Sequence, residues 1–339
     1  MPRIALILCA AVGALLLVAG CSTAPIEQSS AQEPTAHLRS GPQTARLPDA
    51  DVVPVTTSPA TTLPVTVPSA GHGDVTVTDT SRIVAIDRNG TLATIVFALG
   101  LGSRVVGRDL STAFPAAAHL PLVTDNAHGL NTEATLAVNP TVILVDEDTN
   151  PTQAVDALRS VAPVVEFSSA RTVGGTPALI RAVAAALGVK PAGEQLVART
   201  QREIDAARAA VPDPSGDPTM AFLYIRGPRL VLLAGPSSGA DDLIAALQGK
   251  DAGAAAGFTA AFTPVTPEAL LRADPDVILV MTQGADSVGG LEGVLRLPGV
   301  ADTSAGRARR VVQMDQSEIL AFGPDVGKVL TALARAIYT

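Results

Sequence analysis

A tyrosine and an arginine with complementary chemistry lie two residues apart in the second half of the chain. Tyr224 and Arg226 belong to the segment Phe-Leu-Tyr-Ile-Arg-Gly at 222–227, whose apolar start predicts a strand. Alternate residues of a strand point to the same face, so we expect both side chains to lie together. A tyrosine, whose pKa is about 10, is a poor metal ligand until it loses its proton. The adjacent guanidinium favours the phenolate, which ferric iron binds, although a strand tyrosine is more commonly part of a core.

A histidine lies in a polar loop of the first half of the chain. His128 stands in Asp-Asn-Ala-His-Gly at 125–129, just before a predicted helix. Histidine and tyrosine both serve as axial ligands of haem iron. If the two halves face each other, His128 and Tyr224 would hold an iron from opposite sides. The alternative interpretation is an exposed loop histidine, and the chemistry of the sequence alone leaves both open.

One short pattern occurs twice, at an offset of 135 residues from Glu133 to Glu268. Residues 133–136 (Glu-Ala-Thr-Leu) precede a proline and the apolar run 142–145, and residues 268–271 (Glu-Ala-Leu-Leu) precede a proline and the run 277–280. Each half therefore contains a short helix with an early glutamate, a proline stop and a buried strand. This repeat predicts two lobes of similar build with a cleft between them, where small ligands commonly bind.

The alternation of strands and helices places the folded part in the α/β class. We predict two Rossmann-like lobes joined by a single long helix, with parallel strands covered on both faces. The N-terminal αβ lobe spans 77–190, the connecting helix spans 191–211 and the C-terminal αβ lobe spans 212–339. The ligand cleft is expected between the two lobes.

The N-terminus has the features of a targeting segment. Arg3 precedes an apolar stretch, which predicts a signal peptide over residues 1–20. The run Leu-Val-Ala-Gly-Cys at 17–21 resembles the lipobox of bacterial lipoproteins, which implies lipidation of Cys21 and an extracytoplasmic protein anchored to the cell membrane. An ordinary signal peptide with an incidental cysteine is the alternative. Residues 21–76 are rich in Ser, Thr, Pro and Ala and predict a disordered tether.

The predicted organisation of the chain resembles that of the substrate-binding lipoproteins of ABC importers. It consists of a signal peptide, a tether, two lobes and one connecting helix. Within these lipoproteins, the helix-joined class carries haem, ferric siderophores and cobalamin. The segment Gly-Leu-Asn-Thr-Glu-Ala-Thr-Leu at 129–136 is similar to the N-lobe motif of that class, and Glu268 falls in the matching C-lobe motif. The resemblance implies that Glu133 and Glu268 dock on arginines of the permease dimer. A first-turn glutamate favoured by the helix dipole is the alternative for either residue.

Two further segments are similar to the haemin-binding branch of this class. They are 222–227 and Ser-Gly-Ala-Asp-Asp-Leu at 238–243. This resemblance implies that haem b is the transported ligand and that His128 and Tyr224 are its axial ligands, with ligand support from Arg226. A ferric siderophore or cobalamin is the alternative cargo.

Other candidate contacts of the ligand follow from position in the repeat and from strand ends. Met281 occupies the place of Asp146 at the mouth-facing end of the second repeated strand, and a core methionine is the alternative. Arg88 and Arg108 follow strands of the N-lobe, where ligands of open αβ sheets bind, and are candidates for the haem propionates. Solvated surface charge is the alternative for both arginines. Candidate apolar walls, equally plausible as core, are Phe114, Phe258 and Phe262.

Charge and histidine positions argue against other function classes. The formal net charge is −8 and no Lys/Arg-rich run occurs, so we expect no nucleic-acid partner. Residues 235–239 match G-x-S-x-G, the nucleophile elbow of hydrolases, between a predicted strand and helix. All four histidines precede Ser237, whereas a hydrolase of that fold needs one after it. A secreted hydrolase is therefore a remote alternative, and we expect a binding protein rather than an enzyme.

Overall fold

A computed structural model of the protein describes residues 37–49, 51–125, 128–212 and 216–339. The predicted signal peptide (residues 1–20) and lipidation at Cys21 lie outside these ranges, so both stay predictions. Within the described ranges, no helix combines the length and hydropathy that crossing a bilayer requires.

Strands and helices alternate along most of the chain. The strands are β1 (Gln43–Thr44), β2 (Val65–Ser69), β3 (Gly73–Val77), β4 (Ile83–Ala85), β5 (Val105–Arg108), β6 (Val142–Asp146), β7 (Val164–Phe167), β8 (Thr219–Ile225), β9 (Val231–Ala234), β10 (Lys250–Asp251), β11 (Phe262–Pro264), β12 (Val277–Met281) and β13 (Val311–Met314). The helices are α1 (Thr91–Ala98), α2 (Thr132–Ala137), α3 (Thr152–Leu158), α4 (Thr176–Ala186), α5 (Lys190–Ala210), α6 (Ala240–Ala246), α7 (Ala252–Ala255), α8 (Pro267–Ala273), α9 (Thr282–Asp286), α10 (Gly290–Leu295), α11 (Ser304–Ala308), α12 (Gln316–Ile319) and α13 (Val326–Ile337). Two short 3-10 turns cover Gly102–Arg104 and Pro115–Ala117.

The N-lobe is built on a parallel sheet in the order β5-β4-β6-β7. All five residues of β6 are buried. Val142 and Leu144 pack into a cluster with α1 and α4, whereas Ile143 and Val145 pack into another cluster with α3. Because alternate strand residues enter different clusters, both faces of the sheet are covered, which explains the unbroken apolar run in the sequence.

The C-lobe has a mixed sheet in the order β1-β13-β12-β8-β9-β11, with β10 also paired to β8. Strands β13, β12 and β8 are parallel, but β9 is antiparallel to both β8 and β11. The prediction of a parallel sheet is therefore wrong at this edge of the C-lobe. Only residues 226–230 separate β8 from β9, and such a short link permits a hairpin but not a parallel crossover.

Helix α5 connects the two lobes. Leu196 and Val197 belong to the N-lobe core, and Ile204 and Ala207 belong to the C-lobe core. One continuous helix therefore contributes to both cores, and α13 packs beside it. Together with the two sheets, this arrangement confirms the predicted fold class of two αβ lobes joined by a long helix. Helix α5 spans Lys190–Ala210, so it begins and ends one residue before the predicted range 191–211.

The segment before the N-lobe is ordered on the surface of both lobes. Strand β1 pairs with β13, and the amide of Val55 donates to the carbonyl of Ala98. The hairpin of β2 and β3 buries Val67 and Val77 in the N-lobe core. The prediction of a disordered tether is therefore wrong over 37–49 and 51–76, and its remaining part, 21–36, lies outside the described residues. Alternating valines in the hairpin supply a buried face that the Thr- and Pro-rich composition obscured.

The loop 320–324 of the C-lobe is held by side chains of the N-lobe and of the connecting helix α5. Three threonine hydroxyls and one amide donate to its carbonyls, and we refer to this set as the interlobe clamp. Its hydrogen bonds are Asn89 Nδ2 to Leu320 O (3.1 Å), Thr91 Oγ1 to Ala321 O (2.5 Å), Thr176 Oγ1 to Phe322 O (2.8 Å) and Thr200 Oγ1 to Pro324 O (3.2 Å). The three threonines are buried, so water cannot replace these donors.

Two buried aspartates shape the loops at the carboxyl ends of β4 and β5. The Asp87 carboxylate accepts hydrogen bonds from the amides of Asn89, Thr91 and Leu92, which turns the chain into α1. The Asp109 carboxylate accepts from the amides of Asp87 (3.1 Å) and Thr112 (2.7 Å). Burial, reinforced by the nearby charge of Asp87, raises the pKa of Asp109 to about 7.

A third buried aspartate ends β6. Asp146 accepts from the hydroxyl of Thr149 at 2.9 Å and forms an ion pair with Arg171 at 3.1 Å. Burial and the charge of Asp87 raise the pKa of Asp146 to about 7, against the opposing charge of Arg171. The three aspartates thus fix the loops that carry the N-lobe side of the cleft.

The interlobe clamp can be tested with Thr91→Val, which keeps the shape of the side chain. We expect the free energy of unfolding to fall by about 1–3 kcal/mol, because the Ala321 carbonyl loses its donor inside the protein. Urea denaturation measures this change. The control is Thr66→Val, at an exposed threonine of β2 whose hydroxyl bonds to the hydroxyl of Thr76. Equal effects of the two substitutions would contradict the role of the clamp.

Asp109 predicts a pH dependence of stability. Its pKa is about 7 in the folded protein and about 4 in the unfolded chain, so the folded state binds the proton more tightly. Stability from this group is complete below about pH 4 and is lost as the pH rises through about 7, with a slope of at most about 1.4 kcal/mol per pH unit.

Asp109→Asn removes the titrating group. We therefore expect the free energy of unfolding, measured in urea from pH 4 to 8, to fall less steeply with pH in this variant than in the wild type. Asp146 titrates in the same direction, so a smaller slope should remain. Asp302→Asn, at an exposed aspartate, is the control. An unchanged slope in Asp109→Asn would show that its proton is not part of the folded state.

Candidate binding cleft

A cavity of about 1660 Å³ lies between the two lobes. Its N-lobe side comes from the loops that follow β4, β5 and β7, and its C-lobe side from the ends of β8, β12 and β13 and from β9 and β11. The cavity therefore lies at the carboxyl ends of parallel strands, where open αβ sheets bind ligands. Its volume exceeds the roughly 300–1,000 Å³ of common small-molecule pockets, which leaves room for a large ligand.

His128 lies on the N-lobe side of the cavity. The backbone there has a φ of 65°, and Asp125 braces the turn by accepting from the amide of Gly129 at 2.7 Å. The Ser111 hydroxyl donates to the carbonyl of Arg88 and lies 3.5 Å from His128 Nδ1. Because that hydroxyl has one hydrogen, this contact favours a proton on Nδ1 and leaves Nε2 as the nitrogen with a free lone pair.

The protonation state of His128 follows from its surroundings. Burial lowers the pKa of His128, and the positive charges of Arg88 and Arg226 lower it further against the opposing charge of Asp125. A lowered pKa keeps the imidazole neutral over more of the acidic range, and the neutral imidazole is the form that binds metals. His128 is thus prepared to donate a lone pair into the cleft.

Tyr224 and Arg226 meet on the C-lobe side of the same cavity. Arg226 Nε donates to the phenol oxygen of Tyr224 at 2.9 Å, and the guanidinium carbon lies 5.2 Å from the ring centroid. Phe262 of β11 packs edge-on against the Tyr224 ring at a centroid distance of 6.0 Å. A donor on the phenol oxygen stabilises the phenolate, so the pair presents an oxygen ligand to the cleft.

The structure brings some of the other candidate residues to the cavity and leaves others away from it. Met281, at the end of β12, and Arg88, after β4, both line it. Phe262 lines it as well, whereas Phe114 packs against Phe97 in the N-lobe and Phe258 packs in a C-lobe core cluster. The roles of Met281 and Arg88 remain predictions.

Arg108 is not among the residues that line the cavity. Its guanidinium donates to the backbone carbonyls of Leu120 (3.2 Å), Asp109 (3.2 Å) and Thr112 (3.4 Å). The prediction that Arg108 contacts haem propionates is therefore corrected, because its side chain holds the 109–122 loop together. Position after a strand does not show in which direction a long side chain turns.

Arg171 and Gln316 are among the cavity residues that the sequence did not point to. Arg171 follows β7 and Gln316 follows β13, and both line the cavity. Each lies after the carboxyl end of a parallel strand, which is the signal that pointed to Arg88. Applied to every strand end, the same signal would have found both residues.

The paired glutamates lie on short helices of similar design. Glu133 is in the first turn of α2, capped by Asn131, and Glu268 is in the first turn of α8, capped by Thr266. Both are exposed, and each cap side chain accepts from the amide three residues on. For Glu268, hydrogen bonds from its own amide and from Thr266 lower the pKa of the carboxyl.

The G-x-S-x-G loop joins β9 to α6. Ser237 has a φ of 67°, as a sharp strand-to-helix turn requires. The Asp241 carboxylate accepts from the amides of Ser237 (2.8 Å) and Gly239 (3.0 Å). These contacts hold the loop against the first turn of α6. A loop that starts a helix is the alternative to a nucleophile elbow.

Comparison with solved structures gives relatives of the same build. The crystal structure of heme binding protein HmuT is 34% identical with a TM-score of 0.84, covering 88% of this chain and 98% of that one. Periplasmic heme-binding protein RhuT from Roseiflexus sp. RS-1 in apo form is 38% identical with a TM-score of 0.70, covering 76% and 98%. Periplasmic heme-binding protein BhuT in complex with two hemes is 34% identical with a TM-score of 0.68, covering 75% and 97%.

Three other crystal structures of HmuT carry single alanine substitutions of a histidine, a tyrosine and an arginine, the last two being two residues apart. No curated protein matches the sequence. Residues 84–318 match the family described as periplasmic binding protein, which is more than half of the chain. This protein therefore belongs to the periplasmic binding protein family.

Proposed function

We propose that this protein binds haem in the interlobe cleft and delivers it to the permease of an ABC importer, without catalysis. The observation that carries the proposal is the meeting of His128 and Tyr224 in one cavity, one from each lobe. Membership of the binding-protein family and similarity to HmuT, RhuT and BhuT, each described as heme-binding, support the same cargo.

His128 and Tyr224 are the proposed axial ligands of the haem iron. Tyrosine and histidine are both established haem ligands, and an anionic phenolate suits the ferric state. Arg226 supports the phenolate through its 2.9 Å hydrogen bond to the phenol oxygen. One ligand from each lobe would place the iron in the cleft rather than on either wall.

The remaining lining suits a flat macrocycle with two acidic groups. Met281, Leu232 and Phe262 offer apolar contacts on the C-lobe side. Arg88 lines the N-lobe side and is the proposed partner of a haem propionate, to which a guanidinium binds through two parallel hydrogen bonds.

Delivery is proposed to use the two exposed glutamates. Glu133 and Glu268 present one carboxylate on each lobe, which suits a two-fold partner with arginines at matching positions. Lipidation of Cys21 would keep the protein extracytoplasmic and at the cell membrane, close to that permease.

Haem titration followed by visible absorption tests the cargo. The protein should begin at residue 22, so that β1, β2 and the rest of the ordered N-terminal segment are kept. We expect saturation at one haem per chain, because one histidine and one tyrosine supply one pair of axial ligands. Tyr224→Phe and His128→Ala should each alter the spectrum and release haem at least about tenfold faster, since each loses a bond to iron.

His72→Ala is the matched control, because His72 lies exposed on the β2–β3 hairpin. Its spectrum and release rate should equal those of the wild type. Absence of specific haem uptake by the wild type would contradict the assignment, and ferric siderophores and cobalamin would then be titrated into the same cleft.

Charge reversal tests the docking role of the glutamates. In cells that depend on this protein for haem iron, Glu133→Lys with Glu268→Lys should abolish haem-supported growth, because lysines would repel the permease arginines. Each single substitution should reduce growth partly, and haem binding by the purified variants should stay unchanged. Glu194→Lys, at an exposed glutamate of α5, is the control. Wild-type growth of the double variant would exclude this docking mode.

A further inference from the structure

Arg226 has a second hydrogen-bonding partner besides Tyr224. Its Nη2 donates to the side-chain oxygen of Gln316 at 2.9 Å, while its Nε donates to the Tyr224 phenol oxygen at 2.9 Å. Gln316 is the first residue of α12, directly after the turn that follows β13. The guanidinium is therefore fixed from two separate elements of the C-lobe.

We propose that Gln316 is a positioning residue, which holds Arg226 so that its Nε donates to the phenol oxygen of Tyr224. Arg226 is exposed on the turn after β8, and a long side chain in that position has many rotamers. A single hydrogen bond to the phenol would not confine it. The second bond restricts the plane of the guanidinium and so the direction of the donor that faces Tyr224.

The backbone of Gln316 is itself held in place. The backbone amide of Gln316 donates to Gln283 Oε1 at 3.0 Å, and Gln283 Nε2 donates to Asp315 Oδ2 at 2.8 Å. A backbone amide and a guanidinium can only donate, so the oxygens of both glutamine side chains must face them. The hydrogen bonds therefore run without interruption from Asp315 through Gln283, Gln316 and Arg226 to Tyr224.

A glutamine has an advantage over a glutamate at this position. Its neutral oxygen orients Arg226 without offsetting the positive charge, whereas a carboxylate would pair with the guanidinium and weaken its field at the phenol.

The chain offers a direct test in the ligand-free protein. Arg226 Nε donates to the phenol oxygen of Tyr224, so exchange of the Arg226 Nε–H proton with water, followed by NMR, reports whether this hydrogen bond is made. We would compare Gln316→Ala and Gln316→Glu with the wild type, using Tyr224→Phe as the reference for complete loss of the acceptor.

We expect the Arg226 Nε–H proton to exchange about three- to tenfold faster in Gln316→Ala than in the wild type, because the donor is no longer directed at the phenol. Gln316→Glu should keep the slow exchange, because a partner for Arg226 is kept. Gln313→Ala, the same change on β13 at a side chain bonded to Thr44, should leave the exchange rate unchanged. Equal urea unfolding of the variants will show that the fold is intact.

The consequence for haem rests on the proposed function and is measured separately. Gln316→Ala loaded with ferric haem should release it about three- to tenfold faster than wild type, with a shifted iron–phenolate absorption band. An unchanged exchange rate in Gln316→Ala, with a faster rate in Tyr224→Phe, would overturn the positioning role. Failure of the wild type to bind haem would overturn the proposed function alone, because the exchange measurement on the ligand-free protein needs no haem.

Discussion

The geometry of the cleft depends on backbone carbonyls that have no access to water. The loop 320–324 runs between the lobes, and buried threonines of α1, α4 and α5 supply donors to it. The backbone amide of Val173 in the N-lobe adds a further donor to the C-lobe, where it bonds to the Asp242 carboxylate at 2.5 Å. Separating the lobes here would leave these groups without partners, which makes the closed arrangement energetically preferred.

A cleft held in this way is largely formed before the ligand arrives. Helix α5 enters both cores, so the lobes share one rigid element as well as the interlobe clamp. Binding then costs little ordering of the protein, and the facing side chains of His128 and Tyr224 keep their separation. The same rigidity implies that release requires work from outside, which a partner that contacts both lobes is able to supply.

Charges of both signs surround the cleft. Asp87, Asp109 and Asp146 are buried in the N-lobe and shape its loops. The cavity itself is lined by three arginines and five carboxylates, which are Arg88, Arg171, Arg226, Glu147, Asp148, Asp241, Asp242 and Asp315. Arg88 and Arg226 lie on opposite lobes, so each wall of the cavity offers a cationic group to an acidic part of a ligand.

Local patterns predicted the features that are themselves local. The repeat of helix, proline and strand follows from neighbouring residues, and it occurs as α2 with β6 and as α8 with β12. The connecting helix was predicted within one residue of its bounds, because its periodicity lies in its own sequence.

Long-range partners could not be predicted in the same way. Arg108 turned towards carbonyls of its own loop, and the threonines of the interlobe clamp found partners more than a hundred residues away. The ordered N-terminal segment likewise depends on surfaces contributed by both lobes. The pattern of a single sequence shows the type of each side chain and the face of the helix or strand on which it lies. It does not show which distant group that side chain contacts.

Strand β1 covers the edge of the C-lobe sheet that β13 would otherwise form. Without it, β13 would present a free parallel edge of unpaired amides and carbonyls to other chains. The opposite border is β11, a three-residue strand that ends at Pro264 and cannot donate there. Both borders are thus short and poor templates for further strands. This protects the sheet from edge-to-edge aggregation when many copies are crowded together.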